Sequence, residues 1–526
     1  MRTPAAHAAS ATAASASTSA ASSPATDKAA RAAAVPSSIP DALAGLPSLV
    51  PELPADGQRA LVAPLAGSSD ALAIAQLARA ALRQSKMLAV VCADAQTVAR
   101  LDAELGWIAP LLRVATFPDW ETLPWDHFSP HHDLVSERLA TLYRITRSEC
   151  DVVLVAAQTA LYRLPPPAFL AARTFFLTQG ETLDVDALRA QLALAGYTHV
   201  TQVVSPGEFS VRGGLIDLFP MGSPLPFRID LFGNDIESIR TFDVDSQRTL
   251  YPVKDVRLLP AREFAQDDAA RAHFRSRFRE TFEGDPSRSQ LYRDVSAGVL
   301  PGGIEYYLPL FFDTTATLFE YLPPRTVIAL HGDVRAAVTA FWDDTESRYR
   351  LLHGDKARPL LPPPRLFLPV DEFNGETKRF ARLGIGAGEP GAALPPDAPT
   401  RRLPVVAVDR RADDPLGRLK DALALLDGRV LIVAESAGRR ETMQQYFAEY
   451  GLVPAPVASF AEFMAGDMRL ALTAAPLQAG FAWPAARIAK PHARRTSTRC
   501  CATSPRCASA TRSCTRSTAS AATRGW

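Results

Sequence analysis

The chain has 526 residues, 57 Lys and Arg against 56 Asp and Glu, and is 47% hydrophobic. That length suits roughly three to four globular domains, and the near-zero net charge excludes a basic field that would by itself hold nucleic acid. No stretch approaches the ~20 apolar residues of a membrane-spanning helix, and only Cys92 and Cys150 of the six cysteines lie in the body of the chain, which fits a reducing cytoplasm and not a disulfide scaffold.

Residues 1–40 are mostly Ala, Ser, Thr and Pro. They lack the apolar core of a signal peptide and too few large side chains are present to order them, so a disordered leader is expected. Residues 41–157 read as the first part of an α/β domain. A short strand is expected near Ala60–Leu65, a helix over Asp70–Leu82 and a helix over Ala99–Leu105. Met87–Ala93 and Val152–Ala156 are continuous apolar runs typical of buried parallel strands, and Val114–Phe117 is a further strand. A phosphate-binding loop would lie between the first strand and helix as GxxxxGK[ST]. The chain has Gly67, Ser68, Ser69 and Asp70 there, with no lysine and with a carboxylate where phosphates would go. No cofactor is expected at this position.

The stretch 117–133 holds two tryptophans, three prolines and three histidines. Pro130 breaks the helical spacing that His127, His131, His132 and Asp133 would need to share a metal, so no metal is expected. The aromatics are expected to pin a loop onto the domain, ahead of a helix from Asp133.

Residues 158–250 read as a smaller inserted α+β domain. Leu183–Ala195 is a helix stopped at Gly196, and Tyr197–Val204 a strand. In Glu208–Arg212 the residues Phe209 and Val211 point one way, Glu208, Ser210 and Arg212 the other. Gly213-Gly214 reads as a bulge or sharp bend, after which Leu215–Phe219 resumes the strand. Ile229 and Leu231 share the apolar face of the next strand, Arg228 and Asp230 its charged face. Gly233-Asn234 is a turn leading to a strand over Ile236–Phe242. By pattern alone, a charged outer face on a half-buried sheet keeps the domain soluble.

Residues 251–355 return to α/β, with a strand at Thr326–Leu330 and a helix over Val334–Leu352. Gly298–Phe312 reads as an aromatic loop and strand. Residues 356–489 read as a further α/β domain, with strands at Pro404–Val408, Arg429–Ala434 and Met468–Thr473 and a helix over Gly438–Tyr450. From Lys490 onward there is no Asp, Glu, Leu, Ile, Val or Phe. The cysteines there lack C-x-x-C spacing, and residues 490–526 read as a disordered basic tail or a GC-rich gene translated out of frame.

Three blocks carry a family resemblance: FPDWETLPWDHFSPHHDLVSERLATLY, GEFSVRGGLIDLFPMGSPLPFRIDLFGNDIESIRTFDVDSQRT and GVLPGGIEYYLPLFF. Over about 41–489 the chain resembles the N-terminal, UvrB-like part of the bacterial transcription-repair coupling factors (Mfd). The resemblance implies a multidomain α/β fold: a degenerate, P-loop-less helicase-like domain, an inserted α+β UvrA-binding domain and a further α/β domain. It implies recruitment of UvrA in transcription-coupled nucleotide excision repair. Contact with RNA polymerase and double-stranded DNA, and ATP- and Mg-dependent translocation, belong to family modules expected to be missing from this chain, so no catalytic residue is assigned. The resemblance places Arg212, Arg228 and Asp230 at UvrA-contacting positions. His199 and Ser210 fall where UvrB has arginine, which weakens their assignment. The rival reading is a UvrB-like DNA-dependent ATPase or helicase component of excision repair; a third is the non-functional product of a frameshifted gene. A cytoplasmic location follows from either repair role.

Overall fold

The computed structural model describes Leu43 and residues 46–386, 394–426 and 428–483; the expected leader and the basic tail lie outside the described residues. In chain order the first strands are β1 (Arg59–Val62), β2 (Met87–Cys92), β3 (Val114–Phe117) and β4 (Val152–Ala156). Then come β5 (Phe175–Thr178), β6 (Thr198–His199), β7 (Glu208–Arg212), β8 (Leu215–Phe219), β9 (Phe227–Phe232) and β10 (Asp235–Phe242). They are followed by β11 (Thr249–Val253), β12 (Asp255–Leu258), β13 (Thr326–His331) and β14 (Ala381–Ile385). The last are β15 (Val430–Ala434), β16 (Ala455–Pro456) and β17 (Leu470–Ala474).

A parallel sheet runs in the order β1-β14-β13-β2-β4-β3. Both of its faces are covered, which is why β2 and β4 are apolar throughout. Met87, Ala89 and Val91 face one core with Leu139, Val338 and Trp342. Leu88, Val90 and Cys92 face the other, beneath helices Ser69–Arg83 and Ala95–Ile108. The expected boundary at 355 is therefore corrected, because Ala381–Ile385 is an interior strand of this sheet. Arg382 and Gly384 break up its apolar signal. At Gly384 a Cβ would lie 2.7 Å from Leu61 Cδ2 on the adjacent strand, an exposed side chain that can turn aside.

The inserted sheet runs β11-β10-β9-β8-β7-β6, antiparallel except for the β6–β7 pair. Gly213-Gly214 is not a bulge within one strand: Arg212 pairs with Leu215, so the glycines form a two-residue hairpin turn with Gly213 at φ 62°. Positive φ serves a bulge and a primed turn alike. Gly233 at φ 64° opens the second such turn, between β9 and β10. The insert also extends past 250, because β11 pairs with β10 and β12 with β5. Phe209, Ile216, Leu218, Ile229 and Ile239 on its inner face pack with Leu188 and Leu192 of helix Val185–Leu194. Of Tyr197–Val204, only Thr198–His199 forms strand.

The aromatic stretch after Gly298 forms the 3-10 turn Ile304–Leu310 instead of a strand. It meets the Trp-rich loop, where Trp120 stands edge-on to Tyr162 at 4.8 Å and to Tyr306 at 5.4 Å. Trp125 Nε1–H donates to the Leu361 carbonyl at 3.1 Å. The last module is a small parallel sheet in the order β15-β17-β16. Pro404–Val408 joins no sheet.

Candidate functional site

Strand register sets the charged face of the insert. One cross-strand row runs Ser210–Asp217–Arg228–Arg240, and the next runs Arg212–Leu215–Asp230–Ser238. Successive residues on a strand point to opposite faces, so residues two apart share a face and both rows lie outward, away from the core.

Asp217 is the organising residue of the first row, and it is 1% exposed. Arg228 donates to it from two nitrogens, Nε to Oδ1 at 2.7 Å and Nη2 to Oδ2 at 3.0 Å. Arg212 Nη2 donates to the same Oδ2. Such forked pairing fixes the planar guanidinium in direction as well as position. The bond to Asp217 outweighs burial and raises the Arg228 pKa, so its charge is permanent. Arg228 is also held by the Gln247 carbonyl at 3.1 Å and lies 4.7 Å from the centre of the Phe242 ring.

The five expected site residues are therefore not equivalent. Arg212, at the β7–β8 hairpin tip, keeps its side chain 51% exposed while being aimed by Asp217. Arg228 is on the same face, but only 17% of its side chain reaches solvent and most of its donors are spent on this chain. Asp230 accepts a 2.7 Å bond from Ser238 Oγ and lies 3.9 Å from Arg240 Nη1. Ser210 is buried and donates to the Thr201 carbonyl at 3.3 Å. His199 stands edge-on to Phe209 with ring centres 5.2 Å apart, and does not join the ion pairs.

Three further residues complete the surface. Asp217 was visible as a lone acid in the apolar run LIDLF, but its part depends on pairing with Arg228 across strands. Arg240 lines an open, shallow depression with Arg212, Gly214, Leu215, Asp230 and Ser238. Phe232, next to the Gly233 turn and on the outward face of β9 with Arg228 and Asp230, is 78% exposed. An aromatic beside a turn at an outward register position is the signal that could have found it.

The expected degenerate loop is closed by the chain itself. Asp70 accepts two bonds from Arg100, at 2.6 and 3.0 Å, and lies 2.8 Å from His331 Nε2. The backbone of Ala479 and Gly480 lies against Gly67. Carboxylate and carbonyl oxygens thus crowd the place where a triphosphate would need donors, and the residues present do not fit a nucleotide. In the histidine-rich stretch, His127 bonds to Arg358, whereas His131 Nδ1 accepts from the Asp133 N–H at 3.3 Å. Among the described residues no helix is long and apolar enough to cross a membrane.

Comparison with known proteins agrees with this architecture. The UvrB interaction domain profile matches residues 175–264, the inserted sheet and its flanks. The profile of the MFD D3 domain matches residues 423–489. The transcription-repair-coupling factor of Escherichia coli (strain K12) is 40% identical over 400 residues, covering 76% of this chain and 34% of that protein. Its counterpart in Haemophilus influenzae is 38% identical over 417 residues, covering 78% and 36%. The Myxococcus xanthus protein is 34% identical over 372 residues, covering 66% and 30%. The chain spans about a third of the length of these relatives. The chain is a homologue of the N-terminal region of the transcription-repair coupling factors, the region that includes the UvrB interaction domain.

Proposed function

We propose that this chain docks UvrA during transcription-coupled nucleotide excision repair, through the outward face of the inserted sheet. The observation that carries the reading is the half-exposed Arg212, held in direction by the buried Asp217. A preorganised arginine loses little conformational freedom on binding and offers a fork to a partner carboxylate. Phe232 supplies an exposed aromatic anchor on the same face, the kind of residue that dominates interface energies. Arg228 and Asp230 act from beneath and beside Arg212, with Arg228 chiefly fixing the Asp217 carboxylate. His199 and Ser210 are peripheral. Displacement of RNA polymerase and ATP-driven movement on DNA fall, in this reading, to segments other than those described, and the work is cytoplasmic. A UvrB-like ATPase would need the 65–70 loop open to a triphosphate, and the Ala479–Gly480 backbone stands there.

The test is binding of purified UvrA to the immobilised chain. Arg212→Ala is preferred to a charge reversal, which would set a second carboxylate against Asp217. It is expected to weaken binding about tenfold or more with an unchanged fold. Unchanged affinity rejects the site.

A further inference from the structure

The loop between β1 and helix Ser69–Arg83 is occupied by the continuation of β17. The Ser68 N–H donates to the Ala479 carbonyl at 2.9 Å, and the Ala479 N–H returns a bond to Ser68 Oγ at 3.2 Å. The Ser68 hydroxyl donates to Glu104 Oε1 at 2.6 Å, and the same oxygen accepts the Gln478 N–H at 3.1 Å. Glu104 is fully buried, on helix Ala95–Ile108, and its other oxygen accepts from Arg100 at 2.8 Å. A second clasp lies alongside, where the Ala66 N–H donates to Thr400 Oγ1 at 2.8 Å. Gly67 admits the segment because it has no side chain: a Cβ would lie 2.5 Å from the Gly480 carbonyl oxygen and 2.7 Å from that of Ala479. On either side, Leu477, Phe481 and Trp483 pack against the core beneath the two helices.

The geometry points to a latch: the backbone of Gln478–Gly480 sits where a phosphate-binding loop would hold its ligand and, through Ser68 and Glu104, ties the last α/β module to the parallel sheet. Donors that a nucleotide-binding loop offers to phosphate are used here on a peptide. The buried carboxylate Glu104 serves as the keeper, since one oxygen holds both the loop hydroxyl and the incoming amide. Opening the latch would take the Gln478 N–H from that buried carboxylate and leave the Ser68 N–H without its acceptor, with Glu104 still held by Ser68 and Arg100.

Hydrogen exchange of the full chain, read by mass spectrometry over 476–482, tests this. In the wild type these amides are expected to be protected, and Ser68→Ala is expected to speed their exchange about tenfold. Amides of β13 and of β17 serve as the control for an intact fold and are expected to stay unchanged. Gly67→Ala, which pushes a Cβ into the two carbonyls, is expected to do the same without touching Ser68 or Glu104. Free exchange in the wild type, or unchanged exchange in both variants, overturns the latch. Loss of protection that spreads equally into β13 and β17 in both variants also overturns it, because the contact would then be part of the global core.

Discussion

Among the described residues, Asp217 and Asp70 each gather two cationic or ionisable partners, and they are used in opposite ways. In the inserted sheet Asp217 holds Arg212 and Arg228. At the loop after β1, Asp70 holds Arg100 and His331. The chemistry is nearly the same, but the surroundings differ. Arg212 lies at a hairpin tip with half its side chain in solvent, whereas Arg100 is 17% exposed and His331 4% exposed. A carboxylate under an open sheet face leaves its arginine in solvent, where the proposed docking would use it; one under a closed loop braces the fold. Charge pairing alone therefore does not distinguish the two sites; the solvent exposure of Arg212 does.

The largest effect that can separate the two is at the closed site. Asp70→Ala leaves His331 buried without its carboxylate and Arg100 with Glu104 alone, and is expected to cost about 3 kcal/mol in urea denaturation at neutral pH. Burial acts to raise the Asp70 pKa, but hydrogen bonds with His331 and Arg100 outweigh it and bring the carboxyl from 3.8 to about 2. An acid whose folded pKa is depressed stabilises the fold above its unfolded value, and that contribution is lost as pH falls through the folded one. The gap between wild type and Asp70→Ala should hold above about pH 4 and narrow toward pH 2; a gap that widened in acid would contradict the assignment.

At the open site the same change should cost less, because Arg212 can turn to water. Asp217→Ala is expected to lower stability by about 2 kcal/mol and to weaken UvrA binding as well, since Arg212 loses its aim. Equal losses at Asp70 and Asp217 in matched denaturation curves would erase the proposed distinction. The smallest stability effect is expected at Phe232, which touches solvent. Phe232→Ala should stay within about 0.5 kcal/mol of wild type yet weaken UvrA binding about tenfold. A stability loss without a binding loss would make it a packing residue instead.

Much of the scaffold was legible because its signals are local. MLAVVC and VVLVA read as strands since both faces of a parallel sheet are covered, and Val334–Leu352 read as a helix to its observed ends. The period-2 alternation of β7 and β9 placed Arg212, Arg228 and Asp230 on one face before any strand was paired. What alternation could not tell is which of the three remains free. That depends on Asp217 lying opposite Arg228 and within reach of Arg212, which is a matter of register between strands and hence of turns. Reading Gly213-Gly214 as a bend within one strand hid the hairpin whose tip exposes Arg212.

The sequence by itself determined elements such as Met87–Cys92, Val152–Ala156 and Val334–Leu352, the outward charge and the lack of a phosphate-binding lysine, because each is set by residues close together in the chain. Tertiary structure alone decided the rest. Ala381–Ile385 became an interior strand because β1 and β13 needed a partner between them. Gln478–Gly480 filled the loop at Gly67, some four hundred residues earlier in the chain. Such contacts depend on packing between distant segments, and no local pattern encodes which backbone will arrive.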